Sequence, residues 1–464
     1  MPAKYAIHTG PVSDRYEPVS RSGIIAWEEG CLKCPVCVKT RCVYGVYERR
    51  GLRTDQMIES IDNQCMNCLR CVQSCPGELI HKSVNPEYEA MGDSYWMPDI
   101  ISKLWSQAET GKIPVSGAGY AGAFSGPGFD SMWTDMSEIV RPTRDGIHGR
   151  EYISTAVDLG SRQDFITFKE DGSLAGKAPE ALNLPMPILF RVPPFGDLSP
   201  KTLKGWSDAA MRLGTLMALP GELIEGNTAE SAETLIPVYD SEFEKDAIPE
   251  GVRVIEIPWS EGWKRSIDIT DALSRGLLVS VRIPIKSGVE DAALSLARGG
   301  VSIIHLEGSS QGRYVDDESR YLMEAVRSVH MRLVEDGVRD RASLVVSGGI
   351  AMAEHVAKGI ICGADAVYVD LALLIALECR MCRRCEKGVP CPVEIASANS
   401  SWVAGRVINL MGAWHSQLLE VMGAMGIRDA RRLRGETGRA MFFEELDRST
   451  FEEMCHVEEG CEIE

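Results

Sequence analysis

The cysteines of this 464-residue chain are grouped in a way that few folds can accommodate. Twelve of the fifteen fall into three short runs, at residues 31–42, 65–75 and 379–391. An odd number of cysteines in a chain of this length does not suit a disulfide framework. Closely spaced thiols suit metal binding instead, because several sulfur ligands must reach one centre. The fold must therefore bring each run around a metal centre.

The second run, from Cys65 to Pro76, has the spacing C-x2-C-x2-C-x3-C-P of bacterial ferredoxins that carry two clusters. In that arrangement three thiolates bind one 4Fe–4S cluster and the fourth binds the other, so the two N-terminal runs exchange a ligand. A pair of zinc sites is the alternative, because zinc also binds C-x2-C pairs. We expect one cluster on Cys31, Cys34, Cys37 and Cys75, and the other on Cys42, Cys65, Cys68 and Cys71.

The third run holds four cysteines in thirteen residues, which is enough to bind one 4Fe–4S cluster without ligands from elsewhere. Three arginines and a lysine lie among these cysteines. Such cations would offset the charge of a thiolate-bound cluster and raise its reduction potential. A structural zinc site is the alternative. The four candidate ligands are Cys379, Cys382, Cys385 and Cys391.

Three cysteines lie outside the runs. Cys362 falls at the end of an apolar segment, and we expect it to be a buried, small hydrophobic residue. Cys455 and Cys461 lie in an acidic tail, where we expect unpaired surface thiols, with a further metal site as the alternative.

From about Pro185 onward, short apolar runs alternate with amphipathic segments. Uniformly apolar strands that alternate with helices are typical of a parallel sheet covered on both faces. About eight such units favour an α/β fold, a (β/α)8 barrel of TIM type, with an open doubly wound sheet as the alternative. The apolar runs are 188–192, 215–219, 235–238, 252–257, 277–283, 301–306, 344–346 and 366–369.

The sequence predicts four segments. Residues 1–83 form an α+β, bacterial-ferredoxin-like domain, and residues 84–184 form an irregular segment rich in glycine, proline and aromatic residues. The aromatic residues predict that this second segment wraps against another domain. Residues 185–400 form the barrel with the third cysteine run, and residues 401–464 form a helical extension whose acidic end, from 443, we expect to be partly disordered.

Charge and hydropathy exclude several classes of partner. The formal net charge of −18 argues against binding to nucleic acid or to an anionic membrane. No apolar run reaches the ~20 residues that a membrane-spanning helix needs. The first ten residues contain no apolar stretch of the kind found in a signal peptide. We therefore expect a cytoplasmic protein that receives electrons from a redox protein or subunit.

Two turns near the end of the predicted barrel have the features of a phosphate site. Ser347-Gly348-Gly349 ends one apolar run and precedes a helical segment, and Val369-Asp370 ends the next run. In such barrels the loops after strands seven and eight, with a helix N-terminus aimed at the ligand, commonly bind phosphate. FMN is the ligand that most often needs this site in a redox chain, so we expect FMN. A tight turn without a ligand is the alternative.

This part of the chain resembles the C-terminal part of the FMN domain of glutamate synthase. The resemblance runs from Ser347-Gly-Gly-Ile through Gly363-Ala-Asp-Ala to Cys391-Pro-Val-Glu-Ile-Ala. In that family the cluster-binding cysteines are likewise followed by Cys-Pro-Val-Gly-Ile-Ala.

Earlier segments extend the resemblance to about residues 185–397. Pro194-Phe195-Gly196 is similar to the first flavin loop of the family, and Ser260–Lys264 is similar to its Gln-Gly-Ala-Lys-Pro-Gly segment. Val279–Arg282 matches its Val-Ser-Val-Lys. An N-terminal ferredoxin module joined to this barrel is similar to the archaeal-type, stand-alone synthase subunits.

The resemblance implies a reductive activity in which reduced FMN passes a hydride to 2-iminoglutarate, formed from 2-oxoglutarate and ammonia. Lys264 and Arg282 would then bind substrate carboxylates or the N1 side of the flavin, and Glu222 would be a polar contact of the flavin. A solvated surface charge is the alternative for each. No glutaminase domain is recognised, so a separate amidotransferase subunit would supply ammonia.

Departures from the family support a second hypothesis. Glu307–Arg313 replaces a glycine-rich loop, Trp263 replaces an alanine, and Val369-Asp370 replaces Gly-Thr in the second phosphate loop. A carboxylate beside a phosphate is repulsive, and the repulsion is costly where water is excluded. The alternative to the flavoenzyme is therefore a non-catalytic electron-relay subunit whose barrel has lost FMN or substrate.

Overall fold

The described part of the chain is built around a closed ring of eight parallel strands. The computed structural model describes residues 5–26, 31–32, 34, 36–47, 60–113, 128–134, 153–161, 168–173, 175, 181–224, 232–239, 248–260, 272 and 275–442. The barrel strands are β1 (Ile188–Arg191), β2 (Met217–Pro220), β3 (Leu235–Val238), β4 (Val254–Pro258), β5 (Leu278–Pro284), β6 (Ile303–Glu307), β7 (Ser343–Ser347) and β8 (Ala366–Val369).

Each barrel strand pairs with the next along the chain, and β8 returns to β1. The closing contact pairs Val367 with Ile188 and Val369 with Phe190. An open doubly wound sheet would leave two edges unpaired, so this contact excludes it and confirms the predicted barrel. The strands coincide with the apolar runs of the sequence because both of their faces are buried.

Helices cover the outside of the barrel and follow it. The first of them shows why they form where they do: Ser199 Oγ accepts a hydrogen bond from Thr202 N at 3.3 Å, and Gly214 ends the helix with a φ of +66°. The helices are α1 (Pro200–Leu213), α2 (Val289–Arg298), α3 (Leu322–Glu335), α4 (Ala353–Ile361), α5 (Leu371–Ala376) and α6 (Ser400–Ala424).

Part of the segment predicted to be irregular is helical. The helix Pro98–Thr110 begins with proline in its first turn and buries an apolar face against α5 and α6. The aromatic residues Trp96 and Trp105 are buried there, in accordance with the expected packing against another domain. The surrounding glycine, proline and tryptophan residues concealed this amphipathic helix at the level of sequence.

Short elements complete the described part of the chain. A hairpin of Val157–Gly160 and Ala181–Leu184 lies at the N-terminal end of the barrel, where Gly160 N donates to Ser343 Oγ at 3.0 Å. Met132–Thr134 pairs with Ala440–Phe442. Short helical turns are Asp62–Gln64, Pro86–Glu89, Gly128–Ser131, Gly221–Leu223, Arg339–Arg341, Cys385–Lys387, Ile395–Ser397 and Ala430–Arg439.

The N-terminal cysteine region has a small core of its own. Strands Ser22–Ala26 and Ile80–Val84 pair antiparallel, and the helices Val36–Arg41 and Arg70–Ser74 carry cysteines beside them. The buried residues of this core are Cys37, Val46, Tyr47, Cys71 and Ile80. The ferredoxin-like assignment stays a prediction.

The C-terminal helix predicted from residue 401 is present as α6. No helix in the described ranges is long and apolar enough to cross a membrane. The acidic end from residue 443, with Cys455 and Cys461, lies outside the described residues. Cys362 is buried as predicted, and burial raises the pKa of its thiol to about 12.

A buried arginine of α6 joins three separate parts of the chain. Arg406 is fully buried, and its Nε donates to Ala376 O of α5 at 2.7 Å. Its Nη2 donates to Trp105 O at 3.4 Å, and its Nη1 donates to the carboxylate of Asp14. One guanidinium group therefore joins the N-terminal segment, the Pro98–Thr110 helix and the barrel helix α5.

We expect Arg406→Met to lower the free energy of unfolding by about 3–5 kcal/mol, because it leaves Asp14 and two buried carbonyls without their partner. Urea unfolding followed by tryptophan fluorescence measures the change. Arg298→Met is the matched control, since Arg298 pairs with Asp336 at 2.7 Å on the surface and should change stability by less than about 1 kcal/mol. Equal losses in the two variants would contradict the assigned role of Arg406.

Candidate functional site

The eight N-terminal cysteines form two groups, and each group draws on both sequence runs. Each group lines a small cavity together with apolar residues such as Leu79 or Val46. The structure thus brings together the two sets of thiols that an exchanged-ligand arrangement requires. The thiols are Cys31, Cys34, Cys37 and Cys75 around the first cavity, and Cys42, Cys65, Cys68 and Cys71 around the second.

Hydrogen-bond donors lie beside sulfur atoms of both groups. Leu79 N donates to Cys75 Sγ at 3.4 Å, and Lys82 Nζ contacts Cys65 Sγ. Such donors stabilise the extra electron of a reduced cluster and raise its potential. Among the described residues no three ligating side chains are close enough to share a single metal ion. A cubane does not need that arrangement, because each of its thiolates binds a different iron.

The third cysteine group lies at the C-terminal end of the barrel, against the loop that follows β1. Phe195, Gly196 and Asp197 of that loop line the same cavity as the cysteines, and the guanidinium carbon of Arg383 lies 5.0 Å from the centre of the Phe195 ring. Pro194 of the same loop is exposed. The expected flavin loop and the expected cluster site are therefore neighbours. The cysteines are Cys379, Cys382, Cys385 and Cys391.

A chain of charged side chains crosses the barrel at the same end. Glu307 of β6 forms ion pairs with Arg191 of β1 and, at 3.2 Å, with Arg282 of β5. Arg282 Nε also lies 3.5 Å from Glu256 of β4. Because β1 and β6 are not adjacent in the ring, these side chains can meet only inside the barrel. The arginines and Glu307 are partly exposed, so the chain of ion pairs reaches the barrel mouth.

Deeper in the barrel, Glu256 is the first member of a relay of hydrogen-bonded side chains. Its Oε2 lies 2.8 Å from His305 Nδ1, and His305 Nε2 lies 2.8 Å from Ser347 Oγ. Arg191 Nη1 donates to the same hydroxyl at 3.2 Å, which links the relay back to the mouth. Glu256, His305 and Ser347 are fully buried.

The ion pairs decide the protonation of the two glutamates. Burial raises the pKa of Glu256, but His305, Arg191 and Arg282 outweigh burial and lower it to about 2. Burial likewise raises the pKa of Glu307, and Arg191 and Arg282 again reverse the shift. Both carboxylates are therefore ionised at neutral pH.

Sequence reasoning found Arg282 and Ser347 of this site but missed Arg191, Glu256, His305 and Glu307. Each missed residue is a polar side chain inside an otherwise apolar strand, and alternate positions of a barrel strand point inward. A search for polar residues at those positions would have found them. Of the other expected residues, Glu222 is exposed just after β2, whereas Trp263 and Lys264 lie outside the described residues.

The two turns expected to hold the FMN phosphate do not suit that group. Gly348 and Gly349 pack against the backbone of residues 308–312, and Val369 and Asp370 are buried, with the Asp370 carboxylate bonded to Leu371 N at 2.5 Å. The phosphate contacts expected at these turns stay a prediction. The guanidinium groups of Arg191 and Arg282, whose charges Glu256 and Glu307 balance, could still contact the N1 side of a flavin ring, which becomes anionic on reduction.

Comparisons of sequence find relatives along most of the chain. Residues 261–428 match a family described as the conserved region in glutamate synthase. An archaeal-type glutamate synthase (NADPH) of Dehalococcoides mccartyi is 26% identical over 469 residues, covering 88% of this chain and 92% of the relative. The corresponding protein of Thermotoga maritima is 29% identical over 476 residues, covering 87% of this chain and 91% of the relative.

A comparison of structures finds other barrels. The flavin-binding domain of baker's yeast flavocytochrome b2 aligns with a TM-score of 0.42 and 13% identity, covering 79% of this chain and 92% of that chain. At this TM-score and identity the alignment adds no evidence about the fold. The pairing of the strands already establishes the barrel.

The depressed pKa of Glu256 predicts a pH-dependent contribution to stability. Its pKa falls from 4.5 to about 2 on folding, so the stabilisation is complete above pH 4.5 and is lost as the pH falls towards 2. We expect Glu256→Gln to lower the free energy of unfolding by about 3–5 kcal/mol at pH 7, because Arg282 loses a buried counter-charge and His305 loses a carboxylate partner. Urea unfolding at a series of pH values measures the difference.

The difference between the wild type and Glu256→Gln should shrink as the pH falls through this range, since a protonated glutamate resembles glutamine. Glu318→Gln, at an exposed position, is the control and should leave stability within about 0.5 kcal/mol at every pH. A difference that stays constant down to pH 2 would show that Glu256 is not held ionised.

Proposed function

This chain is similar to archaeal-type glutamate synthases over nearly its whole length, and on that basis we propose that it is an iron–sulfur flavoprotein oxidoreductase of the same type. The proposed reaction is reduction of 2-iminoglutarate, formed from 2-oxoglutarate and ammonia, or of a related imine. The observation that carries the proposal is the contact between the Cys379–Cys391 group and the loop after β1. This contact puts a candidate electron carrier at the barrel mouth, where such barrels do their chemistry.

Each cysteine group has a proposed part in electron transfer. The two N-terminal groups would hold 4Fe–4S clusters that receive electrons from a redox protein or subunit, and the third group would hold the cluster nearest the barrel mouth. FMN, when bound, would supply the hydride for reduction of the imine. The residues proposed to lie beside its ring are Phe195, Gly196, Lys264 and Arg282.

The barrel mouth supplies groups for an anionic substrate. Arg191 and Arg282 present planar guanidinium groups that can bind a carboxylate through two parallel hydrogen bonds. Both contact the same carboxylate oxygen of Glu307, which orients them and offsets part of their positive charge. A dicarboxylate such as 2-oxoglutarate would bind the arginines at the expense of part of their contact with Glu307. Glu222 remains a proposed polar contact at the edge of this site.

The proposed electron donor and ammonia source are inferred from the relatives and from the net charge of this chain. The names of the relatives include NADPH or ferredoxin, so NADPH and reduced ferredoxin are both candidate sources of electrons. The net charge of −18 suits docking to a basic surface on the donor. A separate amidotransferase subunit is the proposed source of ammonia.

One observation favours a second candidate function, an electron-relay subunit without FMN. Asp370 occupies the start of α5, where the phosphate of FMN was expected. A barrel that cannot accept the phosphate could still hold three clusters in series between partners. This candidate predicts reducible clusters and a stable complex with another redox protein, but no flavin.

The composition of protein purified without oxygen separates the two candidates. We expect about twelve irons, as three cubanes require, together with about one FMN per chain. The same protein should form glutamate from 2-oxoglutarate and ammonium when supplied with NADPH or reduced ferredoxin. Full iron content with neither flavin nor glutamate formation would exclude the flavoenzyme and leave the relay.

We expect Arg282→Met to raise the KM for 2-oxoglutarate by about 10–100-fold, because a charge-assisted hydrogen bond contributes about 1.5–3 kcal/mol. Steady-state kinetics over a range of 2-oxoglutarate concentrations measures the change. Arg298→Met, on the surface of α2, is the control and should leave KM unchanged. An unchanged KM in Arg282→Met, with iron and flavin content intact, would remove Arg282 from the substrate site.

A further inference from the structure

The start of α5 is capped by the chain's own carboxylate. Asp370, directly after β8, accepts a hydrogen bond from Leu371 N at 2.5 Å. Asp370 is 5% exposed, and Leu371 and Ala372 are fully buried. In a phosphate-binding barrel this helix N-terminus would present its free amides to the ligand. Here the carboxyl group of Asp370 already takes the amide that an anionic ligand would use, and its burial raises its pKa.

The glycine turn after β7 is covered by a neighbouring loop. A Cβ added to Gly348 would lie 2.5 Å from Ser309 O, and one added to Gly349 would lie 2.5 Å from Gly312 N. The hydroxyl of Tyr95 donates to Gly349 O on the same turn. The lack of a side chain at the two glycines therefore lets the backbone of the neighbouring loop come close. It does not by itself indicate a phosphate at this turn.

The helix that follows this turn is covered as well. Ala351 N, just before α4, donates to His355 Nδ1 at 3.2 Å, and His355 Nε2 lies 3.5 Å from Asp130 Oδ1. The Phe129 ring packs on the imidazole with 5.2 Å between centroids. All of these residues are buried. A second carboxylate thus stands close to the second helix N-terminus.

A phosphate dianion entering this region would meet a buried carboxyl group near the start of each helix. Like charges repel strongly where water is excluded, and the amides of Leu371 and Ala351 already donate to side chains of this chain. Arg191, whose charge acts on Asp370, is held by Glu307. The region is therefore unfavourable for the phosphate of a ligand.

We infer that a flavin bound at this barrel mouth is recognised by its ring and not by its 5′-phosphate, and that Asp370 is the specificity-determining residue that excludes the phosphate. The inference rests on the proposed flavin function and deepens it. It predicts that riboflavin binds about as tightly as FMN. Reopening the start of α5 should create a preference for FMN.

The test measures dissociation constants of FMN and riboflavin by quenching of flavin fluorescence, on flavin-free protein that retains its iron. We expect the two constants to agree within about threefold in the wild type, and Asp370→Ser to bind FMN at least about tenfold more tightly than riboflavin. Serine keeps a capping oxygen without the charge. Asp429→Ser is the matched control, because Asp429 also caps a helix, at Arg431 N, near the opposite end of the barrel.

A wild-type protein that prefers FMN by more than about tenfold would overturn the inference and leave the proposed function standing. If the wild type binds neither flavin and Asp370→Ser binds FMN, Asp370 excludes the phosphate, but recognition by the ring alone and the flavin part of the proposed function both fail. If neither protein binds either flavin, Asp370 is not what excludes the phosphate. Asp370→Asn, which keeps the shape and removes the charge, should shift the preference in the same direction if the serine variant folds poorly.

Discussion

The ion pairs between Arg191, Glu307 and Arg282 determine how the rest of the barrel mouth can be built. The Arg191–Glu307 pair joins β1 and β6, which are not neighbours in the ring, so the ion pairs fill the barrel interior where apolar side chains would otherwise pack. Breaking one pair would leave a charge with little access to water, which is why buried pairs are costly to disrupt. The balance of charge at the mouth, and the ionised state of Glu256 beneath it, both follow from this arrangement.

The mouth has two unlike halves. One is covered by the segment that carries Tyr95 and Phe129, here called the covering segment, and the other is bordered by the third cysteine group. Over β7 and β8, Tyr95 and Phe129 close the surface, and Asp370 neutralises the start of a helix. Beside β1, the loop at Phe195 remains in contact with the third cysteine group. In the proposed function, electron transfer and ligand binding would both take place in the half of the mouth that carries the arginines.

The sequence predicted much of this architecture, and the reasons are local. Burial of both strand faces leaves uniformly apolar runs, so all eight barrel strands could be located, and the resemblance to glutamate synthase is confirmed by relatives that span the chain. Cysteine spacing predicted the two sets of thiols that line separate cavities. The Pro98–Thr110 helix was missed because its neighbours are rich in glycine and tryptophan. The phosphate role expected of the turn at Gly348 stays a prediction, because two glycines serve a backbone contact as readily as a ligand.

The sequence by itself determined the barrel, the grouping of the cysteines and the class of enzyme that the chain resembles, since periodicity and ligand spacing act over a few residues. The tertiary structure alone decided which charges meet and which turns are open. Arg191 and Glu307 are more than a hundred positions apart, and Tyr95 reaches Gly349 across a still longer separation. Such contacts depend on how the ring closes and how the covering segment lies on it, and no short-range pattern records either.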